Sequence, residues 1–231
     1  MTRGRSIGLV GGLGVGAAVH YYRRLFEAHA QRSAALNLVM AHAQTTEALR
    51  LYAAGEANAL AEYLAGFIRS LAAAGAEFAV IPAITPHLVI DELQAISPLP
   101  VLSVFPPLVE AVRKRKIGRA AAFGTRYTIQ TDLFGRLTGV ELVRPRPDEI
   151  EQIHAIYEEI LGGRQDPVEA HRRLTAIAQT LIERDRVEAI LIAGTDLAEV
   201  FNETNTPFPH VDCAAVHIEA IVAAALAGVK Q

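Results

Sequence analysis

The sequence predicts an α/β protein made of two pseudo-symmetric lobes, each with a mostly parallel sheet flanked by helices. Two observations lead to this prediction. Short β-rich runs alternate with longer stretches of helical periodicity along the chain, which is typical of βαβ units whose sheet is covered on both faces. The pattern then restarts, because FAVIPAIT at residues 78–85 resembles EAILIAGT at residues 188–195. A repeat at this distance suggests a duplicated half of about 110 residues.

The first half of the chain contains four predicted strands, at residues 7–10, 36–41, 78–81 and 99–104. Helical spacing of apolar residues predicts helices at residues 15–34, 56–74 and 106–116. In the first of these helices the spacing is carried by Val19, Tyr22, Leu25, Phe26 and His29.

The second half repeats this alternation. Strands are predicted at residues 119–123, 140–143 and 188–192, and helices at residues 128–137, 148–161, 167–184 and 214–227. We therefore expect one lobe from residues 1–112 plus 212–231 and a second from residues 113–211, with the active-site cleft between them. In such folds, ligands collect at the carboxyl ends of the strands.

The composition is that of a globular protein and argues against several kinds of partner. Of 231 residues, 51% are hydrophobic and 20% are charged, and the net charge of −3 gives no reason to expect nucleic acid or an anionic membrane as partner. The single cysteine, Cys213, excludes a disulfide within the chain. No run is long and apolar enough to span a bilayer, and glycines interrupt the first apolar run too early for a signal peptide. We expect a cytoplasmic protein.

Four ordered segments resemble the aspartate/glutamate racemase superfamily. They are IGLVGGLG at residues 7–14, PAITPH at residues 82–87, FGTRYT at residues 123–128 and IAGTDL at residues 192–197. The second segment is similar to the family's Pro-Cys-Asn-Thr-x-His, the third to Gly-Thr-x-x-Thr and the fourth to Leu-Gly-Cys-Thr-Glu-Leu. A fifth, weaker match lies at residues 211–220.

The resemblance implies a homodimer that needs no cofactor and binds a small carboxylate or amino acid. In such enzymes two thiols flank the α-carbon; one thiolate removes the proton and the other thiol delivers a proton to the opposite face. Backbone amides and threonines hold the carboxylate, which gains charge as the enolate forms. Here both thiol positions are changed, to Ala83 and Gly194. Cys213 falls at neither position, and we interpret it as a small buried hydrophobe.

The resemblance leaves the carboxylate-binding residues in place. Its substrate-binding positions are Gly11, Gly12, Thr85, Thr125, Thr128 and Thr195. For proton transfer the candidate residues are His42, at the end of the second strand, Asp196, which stands where the family has glutamate, and His87, the histidine of the second motif. A structural role, bonded to a loop carbonyl, is the commoner case for His87. No His, Cys and Asp residues have the spacing of a metal site.

Three functions remain open from the sequence. The first is a racemase-fold enzyme that moves a proton or cleaves a C–X bond next to a carboxylate without cysteine. The second is a non-catalytic protein that still binds a carboxylate or an amino acid. The third is a nucleotide-binding enzyme that uses the glycine loop GGLGVG at residues 11–16, although its spacing is loose and no acidic residue closes the second strand.

Overall fold

The computed structural model describes residues 4–164 and 166–227, so the outermost residues of the predicted lobes lie outside the described residues. The chain divides into two compact units. The first is formed by the residues up to Ser103 together with those from His217 onward, and the second by Val104–Val216. The sequence placed the first boundary after residue 112, whereas helix α5 (Phe105–Lys114) belongs to the second unit.

The first unit is a three-stranded parallel sheet with helices. Its strands are β1 (Ile7–Gly11), β2 (Leu38–His42) and β3 (Phe78–Val80), in the order β2-β1-β3. Its helices are α1 (Val15–Gln31), α2 (Thr45–Ala53), α3 (Ala57–Ala73) and α4 (Ile90–Ile96). One apolar cluster forms its core and includes buried residues of α3, such as Leu64 and Ile68.

The second unit is a four-stranded parallel sheet with helices. After α5 come β4 (Arg119–Phe123), α6 (Arg126–Gln130), β5 (Glu141–Leu142), α7 (Pro147–Leu161), α8 (Pro167–Asp185), β6 (Ala189–Ile192), β7 (His210–Asp212) and α9 (Cys213–Leu226), which continues past the boundary. The strand order is β5-β4-β6-β7. In each sheet the unit's first strand lies between its second and third strands. The predicted α/β fold with two parallel sheets flanked by helices is confirmed.

Two predicted elements were wrong. Residues 99–104 form no strand and keep only a single bridge, between Ala79 and Val101. Pro98 directly precedes this segment and Pro100 lies within it, and proline has no N–H to donate to a ladder. The helix predicted at residues 128–137 ends at Gln130, because the three residues 132–134 have φ values of 51°, 53° and 60°, which a right-handed helix cannot contain. Helices α2 and α4 and strand β7 had not been predicted.

Helix α1 buries only two of the five residues whose spacing predicted it, Leu25 and His29. Tyr21, Leu25 and His29 are buried. A second set of apolar residues faces outward, with exposures of 62% for Val15, 52% for Val19, 48% for Tyr22 and 57% for Phe26. We call these four residues the α1 stripe; their spacing of four, three and four places them along one side of the helix.

Candidate functional site

Two loops meet at the carboxyl ends of neighbouring strands in the second unit. Strands β4 and β6 pair in parallel through Phe123 and Ile192, and the Ala193 N–H donates to the Phe123 carbonyl at 2.8 Å. A Cβ added to Gly124 would lie 3.2 Å from the Ala193 backbone, so the missing side chain lets the loops approach closely. We call residues 124–128 and 193–196 the second-unit loops.

The two threonines of the first loop are joined by hydrogen bonds. Thr125 precedes helix α6, and its hydroxyl accepts a hydrogen bond from the Thr128 N–H at 3.2 Å. The two hydroxyl oxygens lie 2.9 Å apart. Thr128 is fully buried. The predicted pair of hydroxyls is therefore brought together at one strand end.

The second loop carries a buried acid whose partner the sequence analysis missed. Thr195 and Asp196 are each 2% exposed. Tyr157, which projects from α7, donates a hydrogen bond from its hydroxyl to Asp196 Oδ2 at 3.1 Å. Burial and the neighbouring negative charge of Asp196 raise the pKa of Tyr157 well above its ordinary value. The phenol therefore stays protonated and acts as a donor.

Gly194 lies in the loop between strand β6 and Asp196, next to the ring of Tyr157. A Cβ added to Gly194 would lie 2.4 Å from Tyr157 Cε2. The position that the resemblance assigns to a thiol is therefore covered by an aromatic ring.

A histidine that the sequence analysis also missed contacts the first loop. His154 of α7 accepts a hydrogen bond at Nδ1 from the Arg126 backbone N–H, 3.4 Å away. Its Nε2 lies 3.4 Å from Glu158 Oε1. Burial lowers the pKa of His154 below its ordinary value, because a desolvated imidazolium is disfavoured. The only sequence signal for His154 was a polar residue among the isoleucines of the buried face of α7.

The glycine loop of the first unit lies beside His42. Gly12 has a φ of +85°, and a Cβ there would lie 2.1 Å from the Ala43 carbonyl oxygen and 2.9 Å from His42 Nδ1. Only glycine fits such a position. Gly11 pairs with His42 across β1 and β2, and the Thr45 hydroxyl donates to the Gly12 carbonyl. The His42 side chain is exposed, so the structure leaves its ring accessible next to this loop.

The remaining residues predicted for the first unit lie at the end of β3. Ala83 is buried, Thr85 is half-buried and begins a short 3-10 turn, Thr85–Val89, and His87 is fully buried. His87 Nδ1 donates to the Ala83 carbonyl at 2.8 Å. This bond fixes one ring nitrogen of His87 to the backbone of the position that the resemblance assigns to the first thiol.

His87 belongs to a buried cluster with His217 and Tyr21. The rings of His87 and His217 are 6.2 Å apart. His217 Nε2 donates to the Leu102 carbonyl at 3.0 Å, and its Nδ1 accepts from the Tyr21 hydroxyl at 3.1 Å. Burial and the neighbouring His87 lower the pKa of His217 from 6.5 to about 3. His217 is therefore neutral, and both of its ring nitrogens are used in hydrogen bonds that hold the fold together.

Three further results bear on the chemistry. Cys213 is fully buried, and burial raises the pKa of its thiol. Within residues 4–164 and 166–227, no three His, Cys, Asp or Glu side chains are grouped so that they could hold a metal ion. No helix in the same part of the chain is long and apolar enough to cross a membrane.

Comparison with known proteins gives a family match and several similar structures. The model of the Asp/Glu/hydantoin racemase family matches residues 10–221. A protein from Yersinia pestis described as a candidate Asp/Glu racemase is 27% identical, with a TM-score of 0.81 over 96% of this chain and 99% of that chain. An aspartate racemase homologue from Pyrococcus horikoshii is 22% identical, with a TM-score of 0.77 over 96% and 99%. Aspartate racemase from Picrophilus torridus is 18% identical, with a TM-score of 0.74 over 96% and 93%; these last two matches concern the fold alone.

Proposed function

The chain belongs to the Asp/Glu/hydantoin racemase family, and from this premise we propose that it binds a small amino acid or carboxylate and acts on it without cysteine. The proposed reaction is racemase-like isomerisation, or a related proton transfer or C–X cleavage next to the carboxylate. It uses no cofactor.

The observation that carries this proposal is that the second-unit loops place a pair of hydroxyls and an acid after two adjacent strands. The Thr125 and Thr128 hydroxyls lie 2.9 Å apart, and Asp196 follows the adjacent strand. Hydroxyl groups can donate hydrogen bonds to a substrate carboxylate, whose charge increases when the α-proton leaves. A carboxylate next to that position can accept the proton if the substrate's α-carbon comes within hydrogen-bond reach.

His42 is the proposed proton carrier of the first unit. Its ring is accessible and lies against the Gly12 backbone, and each ring nitrogen of an imidazole can donate or accept a proton. His87 is the weaker candidate of the two, because its Nδ1 is already bonded to the Ala83 carbonyl.

The alternative proposal is a non-catalytic protein that binds a carboxylate or an amino acid. The burial of two of the candidate proton carriers favours this alternative, since His87 is fully buried and Asp196 is 2% exposed. A buried group of this kind also serves as a structural anchor.

Thermal denaturation with a panel of amino acids, dicarboxylates and nucleotides tests binding first. A ligand that binds only the folded state raises the melting temperature by mass action, so the chemical class that gives a shift identifies the ligand. A shift with nucleotides alone would contradict the proposal.

Solvent deuterium exchange then separates the enzyme from the binding protein. With a ligand that shifts the melt, we expect deuterium to enter the α-position. His42→Gln and Asp196→Asn should reduce exchange at least tenfold while keeping the thermal shift. His171→Gln and Asp148→Asn are matched controls away from the proposed site and should exchange at the parent rate. Binding without exchange for any ligand of the panel favours the non-catalytic alternative.

A further inference from the structure

Gly194 has no room for any side chain. A Cβ at this position would lie 2.4 Å, 2.9 Å and 3.1 Å from Cε2, Cδ2 and Cζ of Tyr157, and non-bonded carbon atoms attract each other only from about 3.5 Å outward. The backbone does not explain this glycine, because φ of −101° and ψ of 109° are open to every residue. The constraint therefore comes from the ring of Tyr157.

The Tyr157 ring cannot move aside without loss. It is 6% exposed and belongs to the core cluster of the second unit, together with Ile153, Ile160 and Leu197. Its hydroxyl donates to Asp196 Oδ2 at 3.1 Å. A displaced ring would break this bond. The loss of a hydrogen-bond donor to the buried Asp196 carboxylate would strongly destabilise the protein.

We propose that Tyr157 takes the space that a side chain at residue 194 would need, and that its hydroxyl positions the Asp196 carboxylate as the acid–base group of the second-unit loops. The catalytic half of this inference rests on the proposed function, whereas the steric half does not. Tyr157 is a positioning residue: its raised pKa keeps it protonated, so it orients the acid and does not carry the proton itself. The glycine at residue 194 is then part of an arrangement that works without a thiol there.

A double-mutant cycle tests the steric half. Gly194→Ala should lower the melting temperature by about 5 °C, the effect of overpacking a tight core in a chain of this size. In a Tyr157→Ala or Tyr157→Val background, which makes room for the methyl group, the same change should cost less than about 1 °C. Gly66→Ala is the control for adding a methyl group where there is room, because the nearest atom outside the backbone of its own helix is 3.9 Å from a Cβ there. An equal cost of Gly194→Ala in all backgrounds overturns the steric coupling.

Tyr157→Phe tests the positioning half, since it keeps the ring and removes only the hydroxyl. We expect kcat for deuterium exchange to fall at least tenfold with KM nearly unchanged. The acid limb of the pH–rate profile should move to higher pH, because the ionised carboxylate loses a stabilising hydrogen bond. Tyr22→Phe removes an exposed hydroxyl and is the control. An unchanged profile in Tyr157→Phe overturns this role.

The two proposals can fail separately. If no ligand of the panel undergoes exchange, the proposed activity fails, while the melting cycle still decides the steric coupling. The pH dependence of the ligand-induced thermal shift then decides the positioning: the acid side of that dependence should move in Tyr157→Phe, and a dependence equal to the parent's overturns it. If exchange occurs and the cycle shows no coupling, the activity stands and this inference falls.

Discussion

The buried His217 should make the stability of the protein depend on pH. Its pKa is lowered from 6.5 to about 3 in the folded chain, so the unfolded chain binds a proton that the folded chain does not bind. A group with a depressed folded pKa stabilises above the unfolded pKa, and this contribution is lost as pH falls. The loss begins near pH 6.5 and continues to about pH 3.

The size of the effect follows from linkage. Each pH unit below 6.5 costs about 1.4 kcal/mol for one proton taken up on unfolding. Between pH 7 and pH 5 the free energy of unfolding should therefore fall by about 2 kcal/mol through His217 alone. His154, whose pKa is also lowered, acts in the same direction, so the total fall should be larger.

Urea unfolding at pH 7 and at pH 5 measures this loss in the parent and in His217→Gln. The variant cannot titrate at this position, and its amide can still donate to the Leu102 carbonyl. We expect the variant to lose about 2 kcal/mol less than the parent between the two pH values. Equal losses in the two proteins would refute the assignment of His217 as a buried neutral residue.

Three further predictions follow from named contacts. Two hydrogen bonds from Arg184, at 2.7 Å and 3.0 Å, hold the pKa of the Glu149 carboxyl below its ordinary value. Glu149→Gln should therefore lower the melting temperature by about 5 °C at pH 7, and by progressively less as pH falls below 4.5. Thr125→Ala should destabilise the protein by about 1 kcal/mol through loss of the helix cap and should abolish the ligand-induced shift, whereas Thr125→Ser should keep both; a full ligand shift in the alanine variant would exclude Thr125 from binding. Phe26→Glu should convert the expected homodimer to a monomer in light scattering, because two copies of the α1 stripe would bury each other's apolar side chains; an unchanged mass would exclude this surface as the interface.

The strand ends could be predicted from the sequence because their signals are local. A buried apolar run that stops at glycine and threonine indicates both a parallel strand and the loop that follows it. The failures come from residues whose role depends on packing. Residues 99–104 looked like a strand in hydropathy, yet two prolines limit their pairing to a single bridge.

The partner of the buried acid could not be predicted for the same reason. Tyr157 has the helical spacing of an ordinary core residue of α7, beside Ile153 and Ile160. Only the packing of α7 over the end of β6 brings its hydroxyl to Asp196. The sequence therefore showed that residue 194 lacked a thiol, while the ring that explains the glycine became visible in the structure.

The contact between Gly194 and Tyr157 also restricts how this protein could change, in nature or in the laboratory. A cysteine introduced at residue 194 meets the Tyr157 ring at 2.4 Å from its Cβ, so the substitution is costly until residue 157 has become smaller. The order of mutations therefore matters: the tyrosine must be replaced first, at the cost of a cavity, before a thiol is tolerated. A library that randomises residue 194 alone and is selected for thermal stability should be enriched in glycine, whereas one that varies residues 157 and 194 together opens the route to thiol-bearing variants.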